Sequence, residues 1–290
     1  MAANCNPTVR RRRLGAELRR LRMASGLKST EVAERLMVSQ PKISHLENGN
    51  RAISPRDVRD LCALYGVTDQ QAIDALMQMA RESGQQGWWH AYGDLPQTVY
   101  IALETDATSL HTYEPMVIPA LLQTPAYALA VIEESIPQLT GEQRAARLKV
   151  RLRRQHRIYN AASPLRLRAV LDESVLRRVV GSPDIMREQL KHLNALGAEP
   201  HITVQILPYT VGAHPGLSEQ FSILKFTDTP DAVVYLERFT SDLYLEKPSD
   251  VRHYSVLHDH LQAQALDTAS TRDFITDVTK AYIDAAASCP

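Results

Sequence analysis

The stretch "VSQPKISHLENGNR" at residues 38–51 decides how the front of this chain folds. Ser39 is a good N-cap, and Pro41 falls in the first helical turn, where a missing N–H would have no partner anyway. Gly49 stands where a helix takes a left-handed residue in order to stop. The spacing predicts a helix of about three turns with two unlike faces. At about 100° per residue, Ile43, Leu46 and Glu47 share one side. Pro41, Ser44, His45 and Asn48 share the other, with Gln40 and Lys42 on the flanks.

A helix this short needs neighbours to hold it. Upstream, Leu14, Leu18 and Leu21 recur at helical spacing until Gly26. A second helix starts near Ser29 and turns Val32, Ala33 and Leu36 inward, and "MVS" is a tight connection to the stretch above. Two short helices joined by about three residues make a helix-turn-helix. Ser54 and Pro55 open a fourth helix (Val58, Leu61, Cys62, Leu64, Tyr65 inward), and a fifth is predicted over 69–81.

Charge supports the same reading. Net charge over the 290 residues is zero, yet residues 1–60 carry 13 Lys and Arg against 6 Asp and Glu, a net +7. Residues 61–290 carry 20 against 27, a net −7. A basic head on an acidic body points to a polyanion-binding front end. With 44% hydrophobic and 23% charged residues the composition is that of a globular chain, and no apolar run approaches the ~20 residues of a membrane span. No apolar segment follows the N-terminal arginines, which argues against a signal peptide. Cys5, Cys62 and Cys289 are scattered and are read as free thiols in a reducing, cytoplasmic setting.

"LGAELRRLRMASGL", "EVAERLMVSQPKISHLENGNR" and "LCALYGV" resemble the xenobiotic-response-element (Xre, or Cro/repressor-like) DNA-binding domain over most of residues 13–80. One departure is Lys28–Ser29 in place of the more usual Thr-Gln entry to the second helix, which leaves open which of the two caps it. The resemblance implies an all-α, five-helix, lambda-repressor-like bundle whose 38–51 helix enters the major groove of double-stranded DNA.

In that setting Gln40, Pro41, Ser44 and His45 are the candidate base-reading residues. Gln can pair with adenine, His can donate to guanine, and Pro can meet a thymine methyl. Ser29, Lys42, Asn48 and Arg51 are candidate phosphate contacts, and Arg10, Arg11, Arg12 and Arg13 a phosphate-binding arm. One such module reads only a few base pairs, so a homodimer on a pseudo-palindromic operator is expected, its two recognition helices about 34 Å apart.

The organisation expected is a DNA-binding domain at 1–83, a linker at 84–94 ("GQQGWWHAYGD") and a larger domain at 95–290. In the last, helices are predicted at 98–113, in "TPAYALAVIEES", and in the basic "GEQRAARLKVRLRRQHRIY" with Leu148, Leu152 and Ile158 inward. Strands are predicted in "LRLRAVLD" and "HITVQILP", with "SVLRRVV" and "PDIMREQLKHLNALG" as helices between them in a βαβ unit. "FSILKF", "AVVYLE" and "LYLEK" add three strands, the first two joined by the turn "TDTPD". Helices at 248–266 and in the tail complete an α+β or α/β domain with a sheet of about five strands.

"YIALETDATSLHTYEPMVIPALLQTPAYA", "VLDESVLRRVVG", "ITVQILPYTVGAHPGLSEQFSIL" and "VVYLE" resemble the uncharacterised domain attached to Xre heads in actinobacterial regulators, over nearly all of 88–280. It departs at Ala120, where Pro-Gly-Leu-Leu-Gln-Thr is usual. The resemblance is to regulators of the WhiJ type, often encoded beside a small BldB-like partner, and implies that the larger domain senses a partner protein or a small molecule. A protein-docking module that reads no bases is the alternative.

No enzyme is expected, because GxSxG, HExxH, GxGxxG and GxxxxGK are all missing from the sequence. No cofactor and no metal are expected either: on one helix His258 and His260 point about 200° apart, so with His253 they are read as surface residues. "AHPG" at 213–216 is read as a turn, Trp88 and Trp89 as core. Glu104, Glu173 and Glu237, beside apolar runs, are either buried carboxylates marking a pocket or exposed element ends. Arg144, Arg147, Lys149, Arg151, Arg153, Arg154 and Arg157 spread around their helix and are read as a solvated or acidic-partner surface, with a second DNA contact as the other reading.

Overall fold

The structure, a computed structural model, describes residues 9–84, 88–92, 97–160, 162–226, 232–238 and 241–287. The chain divides into two compact units, Met1–His90 and Ala91–Pro290.

The first unit is helical: α1 (Val9–Ala24), α2 (Ser29–Arg35), α3 (Gln40–Glu47), α4 (Pro55–Leu64) and α5 (Gln70–Gly84). Its core gathers Leu14, Leu18, Val32, Ala33, Ile43, Leu46, Val58, Leu61 and Cys62, all buried, with Leu21, Leu36, Val38 and Leu64 packed against them. Those are the residues whose helical spacing marks one apolar stripe per helix, and burying the stripes together is what stabilises helices too short to stand alone. Ser54 caps α4 by accepting the Asp57 N–H at 3.0 Å.

At the entry to α2 it is Lys28 that takes the N-cap place, its N–H donating to Glu31 at 2.7 Å. The 38–51 helix is shorter than expected, eight residues and little over two turns. Gly49 at φ +69° ends it, its N–H bonding Leu46 O at 3.1 Å while the Asn50 N–H bonds His45 O at 2.8 Å.

The second unit is built on a six-stranded mixed sheet in the order β3-β2-β1-β4-β5-β6. β1 (Ser109–Glu114), β2 (Arg166–Asp172) and β3 (Ile202–Leu207) are parallel; β4 (Phe221–Lys225), β5 (Ala232–Leu236) and β6 (Leu243–Leu245) continue it antiparallel. Around the strands lie α6 (Thr98–Asp106), α7 (Pro125–Ser135), α8 (Gly141–Tyr159), α9 (Ser174–Arg177), α10 (Pro183–Leu196), α11 (Pro248–Gln264) and α12 (Thr268–Ala287). Leu261 of α11 packs on one face, against Tyr113, Val170, Phe221, Ile223 and Val234. On the other face Tyr100 of α6 stacks on Tyr235, ring centroids 4.4 Å apart. The edge of β3 is closed: the Ile206 N–H donates to Thr271 Oγ1 and its carbonyl accepts from the Leu266 N–H.

The expected helix at 98–113 is instead α6 followed by β1. β1 is one of the two middle strands, and Leu110, His111, Thr112 and Tyr113 are all buried. A strand covered on both faces loses the alternation that would reveal it. This is the strand by which the sheet exceeds the five expected. The "TDTPD" turn lies outside the described residues, as does part of the expected linker.

Candidate nucleic-acid interface

α3 is fixed from its inner side by backbone contact and by charge. Ile43 and Leu46 are 1% and 2% exposed and lock into the core. Glu47, also turned inward, holds the Arg22 guanidinium with two bonds, Nε at 2.6 Å and Nη2 at 3.0 Å, while Arg22 Nη1 donates to Leu27 O at 2.8 Å. One arginine thus ties the end of α1, the α1–α2 turn and α3 together through a bidentate pair. Gly15 lets α1 lie directly on the end of α3: a Cβ there would fall 2.5 Å from Glu47 O and 2.6 Å from Leu46 O. The role of Gly15 is invisible in the sequence, where it reads as a weak spot in a helix.

The outer side of α3 is polar and bears no carboxylate, since its one acid, Glu47, is inside. Gln40, Pro41, His45 and Asn48 are exposed and Ser44 is half-exposed. Ser39 occupies the N-cap, Gln40 and Pro41 the first turn, so no helical hydrogen bond is lost to the proline. Gln40 Nε2 reaches Ser29 Oγ at 3.4 Å, which brings the starts of α2 and α3 side by side. Asn48 Nδ2 reaches Ser44 Oγ at 3.4 Å. Lys42 and Arg51 sit around the corner, lining a groove beside the start of α4. Arg10, Arg11, Arg12 and Arg13 lie in the first turns of α1; of their side chains only that of Arg11 is among the described ones. The face therefore offers amide, imidazole and hydroxyl groups, able to donate and accept, on a helix that its neighbours hold rigidly. That is the requirement for reading base edges.

In the second unit several of the singled-out side chains point inward. Glu104 is 1% exposed and takes Arg154 Nε at 2.8 Å and Nη2 at 2.7 Å. Arg151 donates to Gln123 Oε1, Arg157 to Ala107 O and Arg144 to Pro137 O. The basic helix is thus a structural clamp in which four of its six arginines are committed, while Lys149 and Arg153 stay exposed, so the expected solvated face is kept only in part. The misreading has a physical cause, since Arg151, Arg154 and Arg157 donate to oxygens that are distant in sequence.

Glu173 is buried, accepts the Tyr209 N–H at 2.9 Å and pairs with Arg177. Glu237 is on the exposed side, bonded by Gln97 and Gln220.

His258 is 0% exposed, not a surface residue as expected. It stacks on His111 of β1 at 5.1 Å, and burial pushes both imidazoles down, to about 4 and about 3. "AHPG" is more than a turn. Gly216 lies on Tyr113, with room for no Cβ (2.7 Å to the ring), and His214 Nε2 faces Asp172 Oδ2 at 3.8 Å. Trp88 is half-buried in a short 3-10 turn, Trp88–Tyr92. Cys62 is free and buried. Among the described residues no group of three or more His, Cys, Asp or Glu could hold a metal ion, and no helix is long and apolar enough to cross a membrane.

Comparison with known families separates the same two parts. Residues 13–76 match a helix-turn-helix domain, and residues 97–277 match a domain of unknown function (DUF5753). No curated protein and no solved structure matches the chain.

Proposed function

Because the chain belongs to the DUF5753 family and carries a helix-turn-helix domain at its front, we propose that it is a sequence-specific, DNA-binding transcriptional regulator of the Xre type. The observation that carries this reading is the outer face of α3: polar, free of carboxylates, and held rigid by Glu47–Arg22 and the Gly15 contact. Gln40, Pro41, Ser44 and His45 read bases. Ser29, Lys42, Asn48, Arg51 and the arginines at 10–13 set the register on phosphates. The protein acts as a cytoplasmic homodimer on a pseudo-palindromic operator and catalyses no reaction.

Its larger domain, resembling that of actinobacterial WhiJ-type regulators, takes a signal from a partner protein, a small BldB-like chain being one candidate, or from a small molecule. Selection of duplexes from a random library by the full chain tests the reading. Enrichment of an inverted repeat with half-sites one helical turn apart is expected. Binding that is unselective and insensitive to salt would leave only the protein-docking alternative.

A further inference from the structure

The head contains a groove of about 510 Å³ between α3, the α3–α4 turn and the end of α5. Lys42, Arg51 and Arg81 line it, together with Ser54, Pro55 and Asp57. Asp57, the one carboxylate on the wall, already accepts the Ser54 hydroxyl at 2.9 Å. Among the described residues Arg81 donates only to the neutral Gln78 Oε1, at 3.1 Å, and neither Lys42 nor Arg51 has an ion-pair partner. Three cations sharing one concavity with one acid repel each other, a cost that an anion placed among them removes.

We propose that this groove seats a phosphodiester of the DNA backbone, with Arg81 as an anchor outside the helix-turn-helix itself. The inference rests on the DNA reading above. Arg81 lies beyond residue 76, where the helix-turn-helix match ends, in the last turn of α5. Phosphate is the chemistry recognised, and DNA is its source because Lys42 belongs to α3. Lys42 stands on the flank of α3 between exposed Pro41 and buried Ile43, so the groove borders the helix that carries the outward face. A contact of this kind strengthens binding to every sequence and specifies none. A planar guanidinium at the site can bind two phosphate oxygens at once, which a lysine cannot.

The experiment measures binding of the full chain to two unrelated 30-base-pair duplexes between 50 and 200 mM salt. Each phosphate contact adds about 0.9 to the slope of log affinity against log salt. Arg81→Gln is expected to lower that slope by about 0.9 on both duplexes, so that the fourfold rise in salt weakens binding about 3.5-fold less than in the wild type. Arg272→Gln, which removes one exposed charge from the second unit, is expected to leave the slope unchanged.

A wild-type slope in Arg81→Gln, with the slope reduced in Arg51→Gln, overturns Arg81 as an anchor and leaves the DNA reading standing. Absence of salt-dependent binding in the wild type overturns both. Calorimetric titration with inorganic phosphate at constant ionic strength separates the sources. No saturable heat is expected, and saturable binding that Arg81→Gln abolishes would assign the groove to a free anion instead.

Discussion

The two units use the same charged residue types in opposite ways. The head packs an aliphatic core and leaves its polar groups outside, with Arg22–Glu47 as a clamp at the rim. The body draws its charges in: Glu104 beneath Arg154, Arg151 against Gln123, His258 against His111. The head's polar residues are thereby available to a ligand, while these polar groups of the body are consumed in holding helices to a sheet.

The difference predicts that the body breaks hardest when one member of a buried pair is removed. Glu104→Ala leaves the Arg154 guanidinium buried without its acid and should destabilise by about 3–5 kcal/mol in urea unfolding followed by circular dichroism. Combining Glu104→Leu with Arg154→Met should recover most of that. By contrast, removing Asp277 from its exposed pair with Lys280 should change stability by less than about 1 kcal/mol. A loss below that level for Glu104→Ala would show that water reaches the pair and that the inward-charge picture is wrong.

Acid should find the body before the head. His111 and His258 stay neutral in the fold, their values lowered by burial and, for His111, by Lys225 and Arg168, whereas unfolding lets both titrate near 6.5. The unfolded chain therefore binds more protons below about pH 6.5, and stability falls as pH drops through 6.5 toward 4. The loss is up to about 1.4 kcal/mol per unit for each imidazole. Glu114 works the other way. Burial raises it to about 8, so the folded state keeps a proton between 4.5 and 8 that the unfolded state releases, and its contribution declines as pH rises through that window. Glu114→Gln should accordingly steepen the acid loss and flatten the alkaline one. A stability curve unchanged in His258→Phe between pH 4 and 6.5 would exclude the histidine pair as its cause.

In the head, stability and recognition should come apart. Gly15→Ala forces a methyl onto the backbone carbonyls at the end of α3 and should cost about 1–3 kcal/mol of stability, because neither neighbour is a flexible side chain. His45→Ala should leave the melting temperature alone and weaken the selected site by about 1–3 kcal/mol, relaxing one base position. Equal weakening on every duplex would remove His45 from the base-reading set.

What the sequence reveals follows the same division. Each head helix buries one stripe, so periodicity alone locates Leu14, Leu18, Val32, Ile43, Leu46 and Val58, and by subtraction the outward face of α3. Gly15 and Arg81 escape because a close backbone approach and a groove between distant helices have no local signature. In the body, β1 is buried on both faces and so shows no alternation, and Arg151, Arg154 and Arg157 of α8 reach partners 28 to 50 residues away. His258 looks like a surface residue beside Asp259 and His260 until the sheet places His111 against it.

The smallest expected effect lies in the turn between α2 and α3. Met37 adopts φ +52°, a left-handed conformation that a residue with a Cβ occupies at a cost of about 1–2 kcal/mol. Its side chain is 92% exposed, so no packing compensates. The turn itself is needed: the Met37 N–H bonds Glu34 O at 3.1 Å and the Val38 N–H bonds Ala33 O at 2.9 Å, which sets the angle at which α3 leaves α2. Glycine removes the steric cost but adds about 0.5–1 kcal/mol of unfolded-state entropy, so the two terms nearly offset. Met37→Gly should stabilise the head by a few tenths of a kcal/mol up to about 1, with DNA affinity unchanged, since the turn keeps its shape. Met37→Val, with a β-branched chain in the same conformation, should move stability the opposite way. Differential calorimetry on the three full-length chains would order them Gly, Met, Val, and a Val variant as stable as the wild type would mean that the turn relaxes out of the left-handed region at no cost.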